Sequence, residues 1–478
     1  MTYSQAVEFL DSLVNYEKLA SPRNEFKLDN IRRLLELAGH PERKMRNVII
    51  VAGTKGKGSV CYMLEAALRG CGFSTGMFVS PHVLDVRERI QLDGKPIPKS
   101  LFADLVTRLA PFVVSSLPAN LQSTICNLQS RVPVSYFELT TAMAFLLFAE
   151  KQPDYSVIEV GLGGRLDATN LSNPKVSIIT RIGYDHLKVL GNTLTEIAGE
   201  KAGIMRKGRP VVIGEQEPEA LAALKRKARE YGARLVRSES VGSVRSVVSV
   251  RPGSFLSACC GLGSGTIRLP LLGAHQVENC KAALAVLDEL AAHDRRIKLG
   301  PAARGMGKVS IPARCQVVRR RPLTIVDSCH NPESGRALAG VLRDHLPYLH
   351  FGTRHSDKVV LVYGSLSGKL VEETVAPLAP FVHQAVLVQP DNPRAMPLSE
   401  LGSIFAGLHI PYVTADSVPT ALALAKRLAQ AQAQAQARGL QAATGKLQTS
   451  LPIVVAGSFY LAGEALKVLG PSRASRRF

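Results

Sequence analysis

Val48-Ile-Ile-Val-Ala-Gly-Thr-Lys-Gly-Lys-Gly-Ser59 is the stretch on which the reading of this chain turns. Its first five residues are a short apolar run, as expected for a strand buried on both faces. A glycine-rich turn follows, and the pattern from about Gly58 to Arg69 predicts a helix. Strand, glycine turn and helix start in that order make a phosphate cradle. Glycines let backbone N–H groups approach the oxygens, and the helix N-terminus adds partial positive charge. Lys57 would meet the β- and γ-phosphates, with Ser59 assisting through its hydroxyl. The match to G-x-x-x-x-G-K-[S/T] is imperfect, because Val51 takes the place of the first glycine and Gly58 separates Lys57 from Ser59. A glycine-rich surface turn is the plainer alternative.

Outward from this loop, strands and helices alternate through the first two-thirds of the chain. Ser74–Val79, Val157–Val160 and Val176–Thr180 read as further strands. The alternation predicts an α/β fold, a parallel sheet with helices on both faces. A second α/β series begins near Leu323, with strands expected at Leu323–Asp327, Val359–Tyr363, Ala385–Val388 and Ile453–Ala456 and helices at Ser334–Arg343 and Pro419–Leu428. The Pro- and Gly-bearing stretch Gly300–Arg321 reads as a junction, which places a boundary near Ser310 and gives domains 1–309 and 310–478. Gln430–Gln436, alternating Ala and Gln, fits a helix extension or an insertion better than a site.

Composition narrows the function classes. Hydrophobic residues make up 46% and charged residues 21% of the 478, ordinary for a globular chain with sizeable cores. Leu139–Ala149, the most apolar stretch, is too short to span a bilayer and predicts a buried helix. Val7, Leu10, Leu13 and Val14 have helical spacing, interrupted by Glu8 and Asp11, so the N-terminus does not read as a signal peptide and a cytoplasmic location is the default. The eight cysteines lack a C-x-x-C pair and read as buried reduced thiols. The net charge of +20 is dispersed, in runs as short as Arg319–Arg321, which argues for a solvated surface rather than for nucleic-acid binding.

In a parallel sheet, ligands bind beyond the carboxyl ends of the strands. Glu159 lies at one such end, before Gly161-Leu-Gly-Gly164. Asp185 and His186 follow a second, and Ser80 and His82 a third. Carboxylate, imidazole and hydroxyl groups, completed by waters and phosphate oxygens, suit Mg²⁺ bound with ATP. Each residue alone has a plainer reading, a lone His most often being structural. Lys201, at the end of a helix in Glu200-Lys-Ala-Gly-Ile204, reads as a solvated charge.

These motifs together resemble folylpolyglutamate synthases and dihydrofolate synthases of the Mur ligase superfamily, from about Asn15 to Gly463. The signposts begin with Gly53–Ser59, Ser80-Pro-His82 with Arg87-Glu-Arg-Ile90, and Phe137-Glu-Leu-Thr140. They continue through Glu159-Val-Gly-Leu-Gly-Gly-Arg-Leu-Asp-Ala-Thr-Asn170, Asp185-His186 and Glu200-Lys-Ala-Gly-Ile204 to Gly273-Ala-His-Gln276 with Asn279, Arg314, and Asp327 with His330-Asn-Pro332.

The resemblance implies a P-loop-containing, mostly parallel sheet domain of the Mur central type followed by a smaller Rossmann-like α/β domain. It implies ATP contacts at Thr54, Lys55, Gly56, Lys57, Gly58, Ser59, Asn279, Arg314 and Asp327. Ser80, Glu159 and His186 look like Mg²⁺ ligands, with a second Mg²⁺ held by Lys201 if that lysine is carbamylated. Lys57, Lys201 and His330 look catalytic, and Phe137, Glu138, Leu166 and Asp167 match segments near the pterin-bearing substrate. Arg314 follows Ile311-Pro-Ala313 where relatives often have Trp-Pro-Gly, Ser328-Cys329 replaces a small pair, Lys55 stands where Asn is frequent, and Arg181 precedes Ile182-Gly183.

The implied reaction is ATP-dependent joining of L-glutamate to dihydropteroate or to folates through an acyl phosphate, by a monomer without nucleic-acid or membrane partners. Lys55 and Asn15-Tyr-Glu-Lys18 are similar to dihydrofolate synthases, and a bifunctional enzyme is the preferred reading. The competing readings are a cell-wall amino-acid ligase of the same superfamily and a non-catalytic basic nucleotide-binding module.

Overall fold

The computed structural model of the protein describes residues 1–16, 27–114, 131–241, 247–248, 254–260, 263–349, 358–439 and 450–470. Glu17 and Lys18 of the Asn15–Lys18 motif lie outside them. Two compact units are present. The first comprises Met1–Ser243, Ser257–Gly265 and Glu278–Met306, and the second Val244–Leu256, Thr266–Val277 and Gly307–Phe478.

In the first unit eight strands build one sheet: β1 (Val48–Ala52), β2 (Thr75–Phe78), β3 (Ile90–Leu92), β4 (Lys95–Pro96), β5 (Tyr155–Glu159), β6 (Pro174–Ile179), β7 (Pro210–Ile213) and β8 (Arg234–Arg237). Their order is β4-β3-β2-β5-β1-β6-β7-β8. All neighbours from β2 to β8 are parallel, and β3 and β4 add an antiparallel edge. Every residue of β1 and β5 is buried, which is why both read as continuous apolar runs rather than as alternation.

One core on this sheet gathers Phe78, Ile158, Phe102, Phe145 and Phe148. The expected buried helix is Tyr136–Lys151, apolar all round and capped by Ser135 and Glu138. The opposite core joins Ile50, Ile179 and Ile213 to Ile197 and Leu224. The N-terminal helix, Tyr3–Asp11, buries Ala6, Phe9 and Leu10. The expected stripe is corrected there: Leu13 is buried beyond the helix end, while Val14 is exposed.

The stretch read as a junction contains a helix, Leu299–Met306. It packs so closely on the helix Lys57–Gly70 that a Cβ at Gly70 would lie 2.5 Å from Pro301 O and one at Gly305 would collide with Ala66 O. Glycine permits this approach because it has no side chain to displace.

A small sheet follows from β9 (Val247–Val248), β10 (Ser254–Cys260) and β11 (Gly263–Leu269), in the order β11-β10-β9. The second unit carries β12 (Gln316–Arg320), β13 (Leu323–Val326), β14 (Val359–Tyr363), β15 (Val382–Val388), β16 (Tyr412–Ala415) and β17 (Ile453–Ala456). Their order is β12-β13-β17-β14-β15-β16, parallel except for edge strand β12. The helix Val418–Gly439 runs through the Ala/Gln segment as one extension. Cys61, Cys280, Cys315 and Cys329 are buried, Cys71 is partly exposed, and none is in a disulfide. Cys126 and the side chains of Cys259 and Cys260 lie outside the described residues. Among the described residues no helix is long and apolar enough to cross a membrane.

Candidate active site

The glycine turn enters the helix Lys57–Gly70 through Gly56 at φ 87°. A Cβ at Gly56 would collide with Asn279 Oδ1, so the loop and Asn279 are packed backbone to side chain. Thr54 and Lys55 donate their backbone N–H groups to Arg181 O at 3.0 and 3.1 Å. The Thr54 hydroxyl donates to Gly183 O and accepts from Gly183 N, both at 3.1 Å. The loop after β1 is thereby fixed to the loop after β6. Lys57 opens the helix and Ser59 is buried.

On the other side of β1, Glu159 closes β5 and is 4% exposed. Its Oε2 accepts Ser80 N at 3.0 Å, and a Cβ at Gly58 would lie 3.4 Å from the same oxygen. The strands β2, β5, β1 and β6 are consecutive in the sheet and parallel, so their carboxyl ends form one edge. That edge brings Ser80, Glu159, the Gly53–Ser59 loop and the Arg181–His186 segment together. His186, at φ 50°, is exposed and hydrogen-bonds through its backbone N–H to Asp185 Oδ1 at 3.0 Å. Asp185 also meets Lys55 Nζ at 3.7 Å.

Lys201 corrects its expectation. It is 3% exposed, not solvated, and its Nζ donates to Gly53 O at 2.9 Å. Burial, with Lys57 adding positive charge, pushes the amine down to about 7. The glycine run after β5 explains how a lysine comes to be enclosed. A Cβ at Gly164 would lie 2.9 Å from both Glu200 O and Lys201 O, and Arg165 N donates to Glu200 O at 2.9 Å. The bare backbone of that loop closes over the helix end Leu194–Ala202.

Of the side chains expected near a pterin, Phe137 packs where a Cβ at Gly161 would lie 2.5 Å from its ring. Leu166 is exposed. Glu138 accepts Ser135 N at 2.7 Å and the Ser135 hydroxyl at 2.8 Å, completing a helix cap, and burial raises its carboxyl. Asp167 is buried, which raises its carboxyl too. It accepts Leu162 N at 2.8 Å on one oxygen and Thr169 N at 3.0 Å on the other. In this structure both acids hold the loops around them.

In the second unit, Asp327 follows β13 and accepts Cys315 N on one oxygen and Cys329 N on the other, each at 2.7 Å. Arg314 lies between Ala313 at φ 52° and Cys315 at φ 45°, two non-glycine residues in the left-handed region. Its Nη1 donates to Ser328 Oγ at 3.1 Å, and its guanidinium lies 5.2 Å from the centroid of the Phe459 ring. His330 places Nδ1 2.9 Å from Ser328 O. A carbonyl only accepts, so Nδ1 donates this bond and the ring is oriented by it. Phe459 was not singled out by sequence, because a lone Phe at a helix start carries no polar signature.

Among the described residues, no three His, Cys, Asp or Glu side chains gather into a ready-made metal cage. Ser80 and Glu159 offer hard oxygen donors, and His186 a borderline nitrogen donor, at the strand edge that carries the Gly53–Ser59 loop.

Residues 106–287 match the Mur ligase middle domain, and residues 313–436 match the Mur ligase glutamate ligase domain. The chain is 32% identical to dihydrofolate synthase/folylpolyglutamate synthase of Bacillus subtilis over 77% of this chain and 82% of that one. It is also 32% identical to the protein of the same name from Mycobacterium tuberculosis, over 96% and 94%. The structure of Mycobacterium tuberculosis folylpolyglutamate synthase complexed with ADP superposes with a TM-score of 0.82 at 30% identity, covering 98% of each chain. A nucleotide-type loop on a shared strand edge, a Rossmann-like second unit and these likenesses lead to one assignment: the chain belongs to the folylpolyglutamate synthase/dihydrofolate synthase family of Mur ligases.

Proposed function

We infer that the protein is an ATP-dependent ligase that joins the amino group of L-glutamate to the carboxylate of a folate-type substrate. The observation that carries this reading is the common edge at which the Gly53–Ser59 loop, Ser80, Glu159 and the Arg181–His186 segment meet. A carboxylate does not condense with an amine in water without activation. In the proposed sequence, a carboxylate oxygen of the folate attacks the γ-phosphorus of ATP and ADP leaves. The glutamate amine then attacks the acyl carbon of the acyl phosphate, and phosphate leaves with the bonding pair. Such a reaction needs positioning and charge neutralisation rather than a side-chain nucleophile.

Thr54–Ser59 would hold the phosphates, with Lys57 as the point charge nearest the transferred group. Asn279, Arg314 and Asp327 would complete the nucleotide contacts, Asp327 through the turn that it pins. His330 Nε2 would take the proton released as the glutamate ammonium becomes an amine. Ser80, Glu159 and His186 would hold Mg²⁺, which when bound neutralises phosphoryl charge. Lys201 has an amine that is largely neutral just above pH 7, so it can add to CO₂, forming a carbamate N–C bond and releasing one proton. The resulting anion would supply a site for a second Mg²⁺. Phe137 and Leu166 would face the pterin, with Glu138 and Asp167 shaping the loops beside it.

We further propose a bifunctional enzyme that accepts both dihydropteroate and tetrahydrofolates, acting as a cytoplasmic monomer. Parallel assays on the two substrates test the bifunctionality, and turnover of only one would remove it. Lys57→Ala and Glu159→Ala should each lower glutamate-dependent ATP turnover by roughly a hundredfold or more with an unchanged circular-dichroism spectrum. Near-normal turnover in either variant would sink the assignment. An unmodified Lys201 amine in a crystal structure of the active complex would remove the carbamate.

A further inference from the structure

We propose that Phe459 is a positioning residue: its ring sets the places of the Arg314 guanidinium and the His330 imidazole. The inference rests on the reading of those two side chains as part of the ligase machinery. Three observations within the second unit carry it.

The first is contact with two side chains. The Arg314 guanidinium lies 5.2 Å from the Phe459 centroid, within cation–π range, and the His330 ring lies 5.4 Å from it at an interplanar angle of 48°. One aromatic plate therefore touches two polar side chains that belong to different turns. The second is the rigidity of its mount. Phe459 opens the helix Phe459–Leu469, and the preceding Ser458 accepts Leu461 N on its hydroxyl at 3.0 Å. Gly457, at φ 124°, donates its N–H to Cys329 O at 2.8 Å, and a Cβ there would collide with Gly364 O. The helix start is thus fastened to the turn that carries His330. The third is the paucity of other anchors on Arg314 among the described residues. One nitrogen donates to Ser328 Oγ at 3.1 Å, and the flanking backbone is held in place from Asp327 rather than through the arginine side chain. The aromatic face limits where a long, many-rotamer side chain can go.

Removing the plate leaves the fastened turns and the bonds to Ser328 in place and widens the range of positions open to the two side chains. Leucine retains apolar bulk at 459 but has no π-face, whereas tyrosine keeps the ring. Phe459→Leu should therefore lower kcat by on the order of tenfold and raise the KM for ATP. The KM for dihydropteroate and the thermal midpoint should stay unchanged, and Phe459→Tyr should restore most of the activity. A purely structural role would instead lower the thermal midpoint and the active fraction without shifting the KM for ATP.

The deciding measurement is a double-mutant cycle on the full-length enzyme with Arg314→Ala. If Phe459 acts through Arg314 and His330, adding Phe459→Leu to Arg314→Ala should change the KM for ATP by less than about twofold and lower kcat by clearly less than the product of the two single losses. Fully additive losses, or a Phe459→Leu variant with wild-type kinetics, would overturn the proposal. Wild-type kinetics for Arg314→Ala would instead sink the underlying reading of Arg314, a result separable from the first because it appears in the single variant.

Discussion

The turn before Lys57 and the turn around Arg314 both run through the left-handed region of backbone space, yet only the first uses glycine. Gly53 and Gly56 have φ of 141° and 87°, whereas Ala313 and Cys315 have 52° and 45°. In the glycine turn the absent side chains are replaced by neighbours: Thr180 and Asn279 occupy the space where Cβ atoms would be. In the second turn the conformation is imposed from outside. Asp327 grips Cys315 N, and Ala313 O accepts Ser328 N at 2.9 Å. A non-glycine residue in this region costs roughly 1–2 kcal/mol, and it persists only where surrounding bonds over-determine it. One cationic residue is thus delivered by a backbone with no room for change, the other by a backbone under local strain.

The contrast can be broken most severely at Gly56. Gly56→Ala adds a methyl at a positive φ and against Asn279, so ATP turnover should fall by roughly a hundredfold while the expression level and helical content persist. Retention of more than half the activity would show that the loop can yield.

A smaller effect is expected from Lys201, the buried amine behind that loop. Its proton affinity is depressed in the fold to about 7, against 10.5 in an unfolded chain. Between those values the unfolded state binds more protons, so this group makes stability rise with pH and weakens it as pH falls towards 7. With the amine kept free in CO₂-depleted buffer, the stability of the wild type, measured by urea denaturation, should gain about 1.4 kcal/mol per pH unit within that window relative to Lys201→Met. Parallel pH profiles for the two proteins would refute the buried-amine account.

The smallest change sharpens the contrast from the other side. Ala313→Gly relieves strain but adds freedom to the unfolded chain, so stability should rise by no more than about 1 kcal/mol. The activity should be unchanged. A large loss of turnover would mean that the alanine methyl itself positions Arg314.

What could be read in the sequence tracks how local the cause is. Val48–Ala52, Val359–Tyr363 and Ile453–Ala456 are legible to the residue because a strand buried on both faces must be apolar throughout. The turn at Gly53–Ser59 is legible because Gly53 and Gly56 are required by backbone geometry. Glu159 is legible because it ends such a strand. Lys201 was not, since its burial comes from a carbonyl far away in the chain and from a glycine run that closes over its helix. The antiparallel edge strand Gln316–Arg320 was also missed, hidden in a Pro- and Gly-bearing stretch whose partner lies just beyond a turn. The clamp formed by Asp327 and the plate formed by Phe459 depend on residues that carry no motif of their own beyond their tertiary neighbours.

The segment Glu278–Met306 returns to the first unit after the chain has left it. It supports the helix Lys57–Gly70 at both ends: Asn279 seats against Gly56 at the entry, and Pro301 and Gly305 close on Gly70 and Ala66 at the exit. An excised fragment stopping at Ser243 would therefore keep the strand, the glycines and the lysine of the cradle while lacking the brace that stops the helix from swivelling. A fragment meant to keep the Gly53–Ser59 loop in its folded form must therefore carry both segments, with Glu278–Met306 joined to the first through a linker that replaces the intervening residues.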